Sequence, residues 1–170
     1  MRVPIRLGFA LLLALAPAAS GRAAGFAVHD LTSLGPDMEK TLGPGFVHRA
    51  EARRVTLTCL GCAANPMIDV LLGRQDDGTE DRVRAGETTI ARLEAICREK
   101  DPACRLTALE IAPAVGWMSH WRMADRPGAT VVILRDGDLL TIRSLADTDA
   151  VARANAEKLV TAIGGRVVGR

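Results

Sequence analysis

Cys59-Leu60-Gly61-Cys62 is the sharpest chemical feature of the chain, because two thiols at this spacing can close a small ring and take part in disulfide exchange. Exchange needs a thiolate, which is favoured at a helix N-terminus or beside a cation. A second pair, Cys97 and Cys104, is separated by six residues. Local bridges 59–62 and 97–104 are the simplest pairing, whereas a crossed arrangement would constrain the unfolded chain more. A zinc site from all four thiolates is a further option, although zinc knuckles usually have two close pairs and the second spacing here is wider.

Two other clusters could take a metal, the only cofactor these residues suggest. In Trp117-Met118-Ser119-His120-Trp121-Arg122-Met123, an extended chain would put Met118 and His120 on one face, and sulfur with imidazole suits copper. Asp76, Asp77, Glu80 and Asp81 gather carboxylates around Gly78, with Glu87 nearby. Such oxygens suit calcium or another hard cation, while Arg74, Arg82 and Arg84 can neutralise them. Nothing resembles a Ser/His/Asp nucleophile set, a phosphate-cradling glycine loop or a His-x-x-x-His zinc helix. His29 and His48 read as surface residues.

The start of the chain sets the chemical setting for these groups. Arg2 and Arg6 precede an apolar run from Leu7 to Ala16 and small residues up to Ala24, the three parts of a secretory leader. The run is too short to span a bilayer, which takes roughly 20 apolar residues. Cleavage is expected between about residues 18 and 24, after Ser20 or Ala23, with membrane contact only during export. The first cysteine is Cys59, which argues against a lipid anchor at this junction. The expected compartment is the periplasm, where disulfides form and persist. Removing Arg2, Arg6 and Arg22 from 22 basic residues leaves 19 against 20 acidic ones, so the net charge moves from +2 to −1. No basic stripe with interleaved aromatics remains, which excludes the footprint of a nucleic-acid binder.

The elements that must position these residues follow from periodicity. Residues 25–50, broken by Gly35-Pro36 and Gly43-Pro44-Gly45, read as an N-terminal arm with one helical turn near Pro36–Lys40. Residues 51–170 read as a single domain. Val55, Leu57 and Cys59 alternate with Thr56 and Thr58, a half-buried strand, and Met67–Leu72 reads as a second. Arg74–Gly86 is a charged loop. Ile90, Leu93 and Cys97 mark the buried face of a helix, stopped by Asp101-Pro102. Strands are expected over Leu106–Ile111 and Trp117–Met123. Thr130–Arg143 is a hairpin about Asp136-Gly137, and a helix capped by Asp147-Thr148-Asp149 carries Ala152, Ala156, Leu159, Val160 and Ile163 on one stripe.

The expected fold is α+β, with two amphipathic helices on an antiparallel or mixed sheet of four to five strands. A hairpin, a closing helix and an upstream Cys-x-x-Cys also resemble the plan of the thioredoxin family. That resemblance implies an α/β fold and a redox role for Cys59 and Cys62. It lacks a Trp before Cys59, and Pro127 is separated from the following strand by Gly128-Ala129. The expected function is an exported accessory or binding protein, braced by disulfides and handling a metal ion, small ligand or partner protein. The alternative is a thiol–disulfide oxidoreductase using Cys59 and Cys62.

Overall fold

The central hairpin organises the chain. Asp136 and Gly137 both adopt left-handed backbone angles, with φ of 53° and 81°, the twist that joins adjacent antiparallel strands with a two-residue turn. In the computed structural model, which describes residues 25–169, this turn links β6 (Arg126–Arg135) to β7 (Asp138–Leu145). The leader expected over residues 1–24 lies outside the described residues. The remaining strands are β1 (Phe46–Glu51), β2 (Arg54–Cys59), β3 (Met67–Arg74), β4 (Arg105–Ala108) and β5 (Val115–Met123). They form one sheet in the order β1-β2-β3-β7-β6-β5-β4. Every neighbouring pair is antiparallel.

Four helices accompany the sheet: α1 (Gly35–Leu42), α2 (Thr79–Arg84), α3 (Ile90–Lys100) and α4 (Asp149–Leu159). Helix α4 continues through a π-helical stretch, Val160–Gly164, into a last turn, Gly165–Val168. Its start is fixed by the Thr148 hydroxyl, which accepts from the Val151 N–H, one of the donors a helix start leaves unpaired. One sheet face carries Val55, Leu57, Ile68, Val70, Val131, Ile133, Leu140 and Ile142, all fully buried. Against it pack Met38 and Leu42 of α1 and Ala156 and Leu159 of α4. Burial of this apolar face drives the fold.

The α+β expectation holds, but the sheet has seven strands and there are four helices. The thioredoxin-like alternative is excluded, because an α/β plan needs parallel strands joined by crossovers and the sheet has none. Pro127 sits inside β6 rather than ahead of it. The undercount arose where apolar periodicity is weakest. Strand β1 is an edge strand rich in polar residues, and α2 has one apolar residue among six, whereas the strand expected over Leu106–Ile111 is present as the short β4. The helical turn expected near Pro36–Lys40 is part of the longer α1, with Pro36 in its first turn, where proline's missing N–H costs nothing.

The N-terminal segment is sewn into the body. Phe26 is buried, its N–H donates to Asp138 Oδ2 at 2.8 Å, and Leu31, Leu34 and Met38 lie in the core. Helix α3 differs from expectation in the other direction. Ile90, Leu93 and Cys97 are only half-buried and Ile96 is 46% exposed, because α3 rests on the edge strand β4 rather than across the sheet.

Candidate functional site

The alternation that buries one sheet face leaves the other carrying polar side chains. Paired registers place Arg49, Thr56, Asp69, Arg143, Thr130 and Ser119 in a single row across six strands. Asp69 Oδ1 accepts from Arg54 Nη2 at 2.8 Å and from Thr56 Oγ1 at 2.6 Å. Arg49 pairs with Glu51 at 3.0 Å. Arg143, on the central strand β7, is exposed and has no side-chain hydrogen bond or ion pair among the described residues. Four arginines (49, 54, 126 and 143) project from this face; the first three pair with Glu51, Asp69 and Asp147, which leaves the one positive charge in excess to Arg143.

Both tryptophans lie on this same face. Trp121 Nε1 donates to Thr130 Oγ1 at 2.8 Å, beside Arg143 in the row. Its ring lies flat on the backbone at Gly128, where an added Cβ would come within 2.7 Å of the indole. Gly128 therefore holds a reporter group against the polar row. Arg143 and its neighbours were not singled out from the sequence. The usable signal was the polar half of each alternation, Thr56 and Thr58 in β2, Thr141 and Arg143 in β7.

The cysteines form two local bridges, Cys59–Cys62 and Cys97–Cys104, so neither the crossed pairing nor a tetrathiolate zinc site is formed. The first bridge closes the end of β2, and the chain runs on through residues 60–66 into β3 with no helix starting in the motif. Cys59 is 5% exposed, and an added Cβ on Gly45 would come within 2.9 Å of its Sγ. One sulfur is thus walled in by backbone and lacks the helix N-terminus that would favour its thiolate. The following loop is clamped by Asn65 Nδ2 donating to Asp147 Oδ2 at 2.7 Å and Arg126 Nη2 donating to the Asn65 carbonyl at 3.0 Å.

The acidic cluster is dispersed into separate contacts. Arg74 reaches Asp76 at 2.7 Å and Asp138 at 2.9 Å. Asp77 accepts the Thr79 N–H at 3.0 Å. Glu80 pairs with Arg84 at 2.6 Å and accepts the Gly137 N–H at 3.1 Å. Burial of Glu80 opposes ionisation, but Arg84 and the turn's N–H groups outweigh it and hold its carboxyl below the usual range. Asp81 lies with Glu80 in the first turn of α2. Glu87 lies beyond α2. No group of three or more metal-binding side chains comes together among the described residues. His29 is exposed, whereas His48 is half-buried and hydrogen-bonded to the Glu39 carboxylate.

Met118 and His120 share a face of β5, as the extended chain requires, but Met118 is 4% exposed and belongs to the core. Burial, and then the Arg153 guanidinium, push the His120 imidazole below its ordinary value, against the opposite pull of Asp149 and Glu157. A histidine with a lowered folded pKa makes the unfolded state the better proton binder. Its stabilisation is therefore complete above the unfolded value, about 6.5, and is lost as pH falls through that value toward the lower folded one. The melting temperature is expected to drop between pH 7 and 5, and His120→Gln should flatten part of that drop. An unchanged slope in the variant would remove His120 from the account.

The fold and its two unlike faces define a class: a disulfide-braced α+β domain built on one antiparallel sheet, covered by α1 and α4 on one face and open around Arg143 on the other, where Leu134 and Trp117 are nonetheless buried. No family model matches the chain, and no curated protein matches it. Among the described residues, no helix is long and apolar enough to cross a membrane.

Proposed function

We propose that this chain is an exported accessory protein that binds an acidic surface or segment of a partner protein on the open part of its second sheet face, around Arg143. The observation that carries this reading is Arg143, an exposed and unpartnered guanidinium at the centre of that face. Around it the other charges pair off, and the half-buried Met67, Leu71 and Leu139 supply apolar area on the same side. Arginine ringed by partly apolar surface is the composition of binding hot spots, and its fork donates two parallel hydrogen bonds to a carboxylate. Export rests on the Arg2–Ala24 leader pattern, and an oxidising compartment suits a domain with two bridges.

Trp121 supplies the test. Its fluorescence should change on titration with an oligo-glutamate peptide at low salt, and salt should weaken the response. Arg143→Glu should weaken binding by about tenfold or more, with the fold unchanged by circular dichroism. A response unaffected by Arg143→Glu, or no response at all, would reject the reading.

The oxidoreductase reading keeps one observation in its favour: Cys62 is half-exposed and the adjoining Leu60 is 86% exposed, so one sulfur is open to attack. Glutathione titration with thiol counting separates the two. A structural bridge stays oxidised until the protein unfolds, whereas a catalytic one exchanges in the native state.

A further inference from the structure

The two edges of the sheet are finished differently. At the β4 edge, the Leu109 N–H donates to the Gly116 carbonyl, so Leu109, Thr107 and Arg105 turn their backbone groups toward β5 and Leu106 turns its own outward. That outward N–H is taken by the Glu94 carboxylate at 2.8 Å, and α3 lies against the strand. This edge is short and sealed.

The β1 edge is open. The Leu72 N–H donates to the Arg53 carbonyl and the Cys59 N–H to the Pro66 carbonyl, so the odd-numbered residues of β2 bond to β3 and the even-numbered ones to β1. The register then turns Val47, Arg49 and Glu51 toward β2, and Phe46, His48 and Ala50 away from the sheet. The Phe46 N–H closes a turn onto the Gly43 carbonyl, but the N–H and C=O groups of His48 and Ala50 have no partner among the described residues. Neither proline nor a bulge, two devices that blunt a free edge, interrupts the strand.

Beside this edge runs a groove of about 390 Å³ between Pro36 and Lys40 of α1 and Phe46 and His48 of β1, and the Gly43-Pro44-Gly45 connection closes one end of it. Its wall is fixed. The His48 ring is hydrogen-bonded to the Glu39 carboxylate and packs on Gly35, where an added Cβ would come within 2.5 Å of it. With Glu39 taken by His48, the unanswered charge in the groove is the exposed Lys40, which has no ion pair among the described residues. The Gly45 N–H, at the closed end, is also without a partner among them.

We propose that β1 and this groove bind the C-terminal end of an extended segment of a partner protein, which adds to the sheet antiparallel to β1 and places its terminal carboxylate between Lys40 and the Gly45 N–H. Direction and charge agree. A strand antiparallel to β1 finishes at the Phe46 end, where the connection from α1 leaves no path onward, and a chain that stops there brings a carboxylate to the unanswered cation. Main-chain bonds to His48 and Ala50 supply affinity, and alternate side chains entering the groove supply selectivity. A second copy fits less well, because its own β1 carries an α1 beside it and the two helices would meet over the paired strands. Strands β2 and β3 separate this edge from Arg143 on β7, so the site does not depend on the binding proposed there.

A short peptide of alternating valine and threonine with a free C-terminus is the probe, followed by amide shifts and hydrogen exchange of the isotope-labelled protein. The expected result is protection of the His48 and Ala50 amides, with shifts at Lys40 and Gly45. Amidating the peptide's C-terminus, or Lys40→Gln, should weaken binding by about tenfold, the worth of one hydrogen bond to a charged group. Arg143→Glu should leave this binding unchanged, which separates it from the reading above. No protection at millimolar peptide, or equal binding of the amidated peptide, overturns the proposal. So does protection that rises with protein concentration in the absence of peptide, the mark of a second copy on β1.

Discussion

Replacing Ile142 by alanine is expected to lower the free energy of unfolding by about 2–5 kcal/mol, read from urea denaturation at pH 7. Ile142 is fully buried on β7, the central strand, between Val70 of β3 and Val131 of β6. Helix α4 packs on β7, so three elements would have to move to close the cavity. Folded domains have only about 5–15 kcal/mol in total, so this change consumes a large share. Ile96→Ala is the contrast. Ile96 is 46% exposed on α3, and its loss should cost less than about 0.5 kcal/mol. Equal effects at the two sites would contradict the placement of the core on the α1 and α4 side.

The second large effect is expected from Cys97→Ser combined with Cys104→Ser. Closing a loop of this length restricts the unfolded chain by about 2.5 kcal/mol, and that term disappears with the bridge. Helix α3 gives the loss a local signature. It has no fully buried residue, and it is tied to the sheet by the Cys97–Cys104 bridge, by the Glu94 carboxylate accepting the Leu106 N–H at 2.8 Å and, at its C-cap, by the Asp101 carboxylate accepting the Arg122 N–H at 2.8 Å. Removing the bridge should therefore speed amide exchange through α3 and β4 before the central strands are affected. Uniform loss of protection across the sheet would show that α3 is not the separately stapled element described above.

How far the sequence reveals these features depends on where each element's energy comes from. The β6–β7 hairpin was legible because Asp136-Gly137 is local turn chemistry, and α4 because Ala152, Ala156, Leu159 and Ile163 recur at helical spacing. Strand β1 was hidden: its stability comes from pairing with β2 and from α1 above it, neither of which leaves an apolar pattern in Phe46–Glu51. For α3 the reverse holds. Ile90, Leu93 and Cys97 gave the right period, but period does not say whether a helix lies across a sheet or at its edge.

Candidate sites divide in the same way. The local spacing of the cysteines led to the observed bridges as the simplest pairing. The acidic stretch showed charges but not their partners, and Glu80 is met by Gly137 from a turn 57 residues away. The row through Arg143 could not be assembled from sequence, since it needs the registers of five strand pairs at once. The individual alternations that feed it, as in Thr56 and Thr58, were visible.

The binding face is tested most directly by mapping backbone amide shifts of the isotope-labelled protein during titration with the oligo-glutamate peptide. The account predicts that shifts concentrate at Arg143, Thr130, Asp69 and Thr56 and are lost in Arg143→Glu. Shifts confined to residues 59–66 around the Cys59–Cys62 bridge, or spread over α1 and α4 instead, would contradict it.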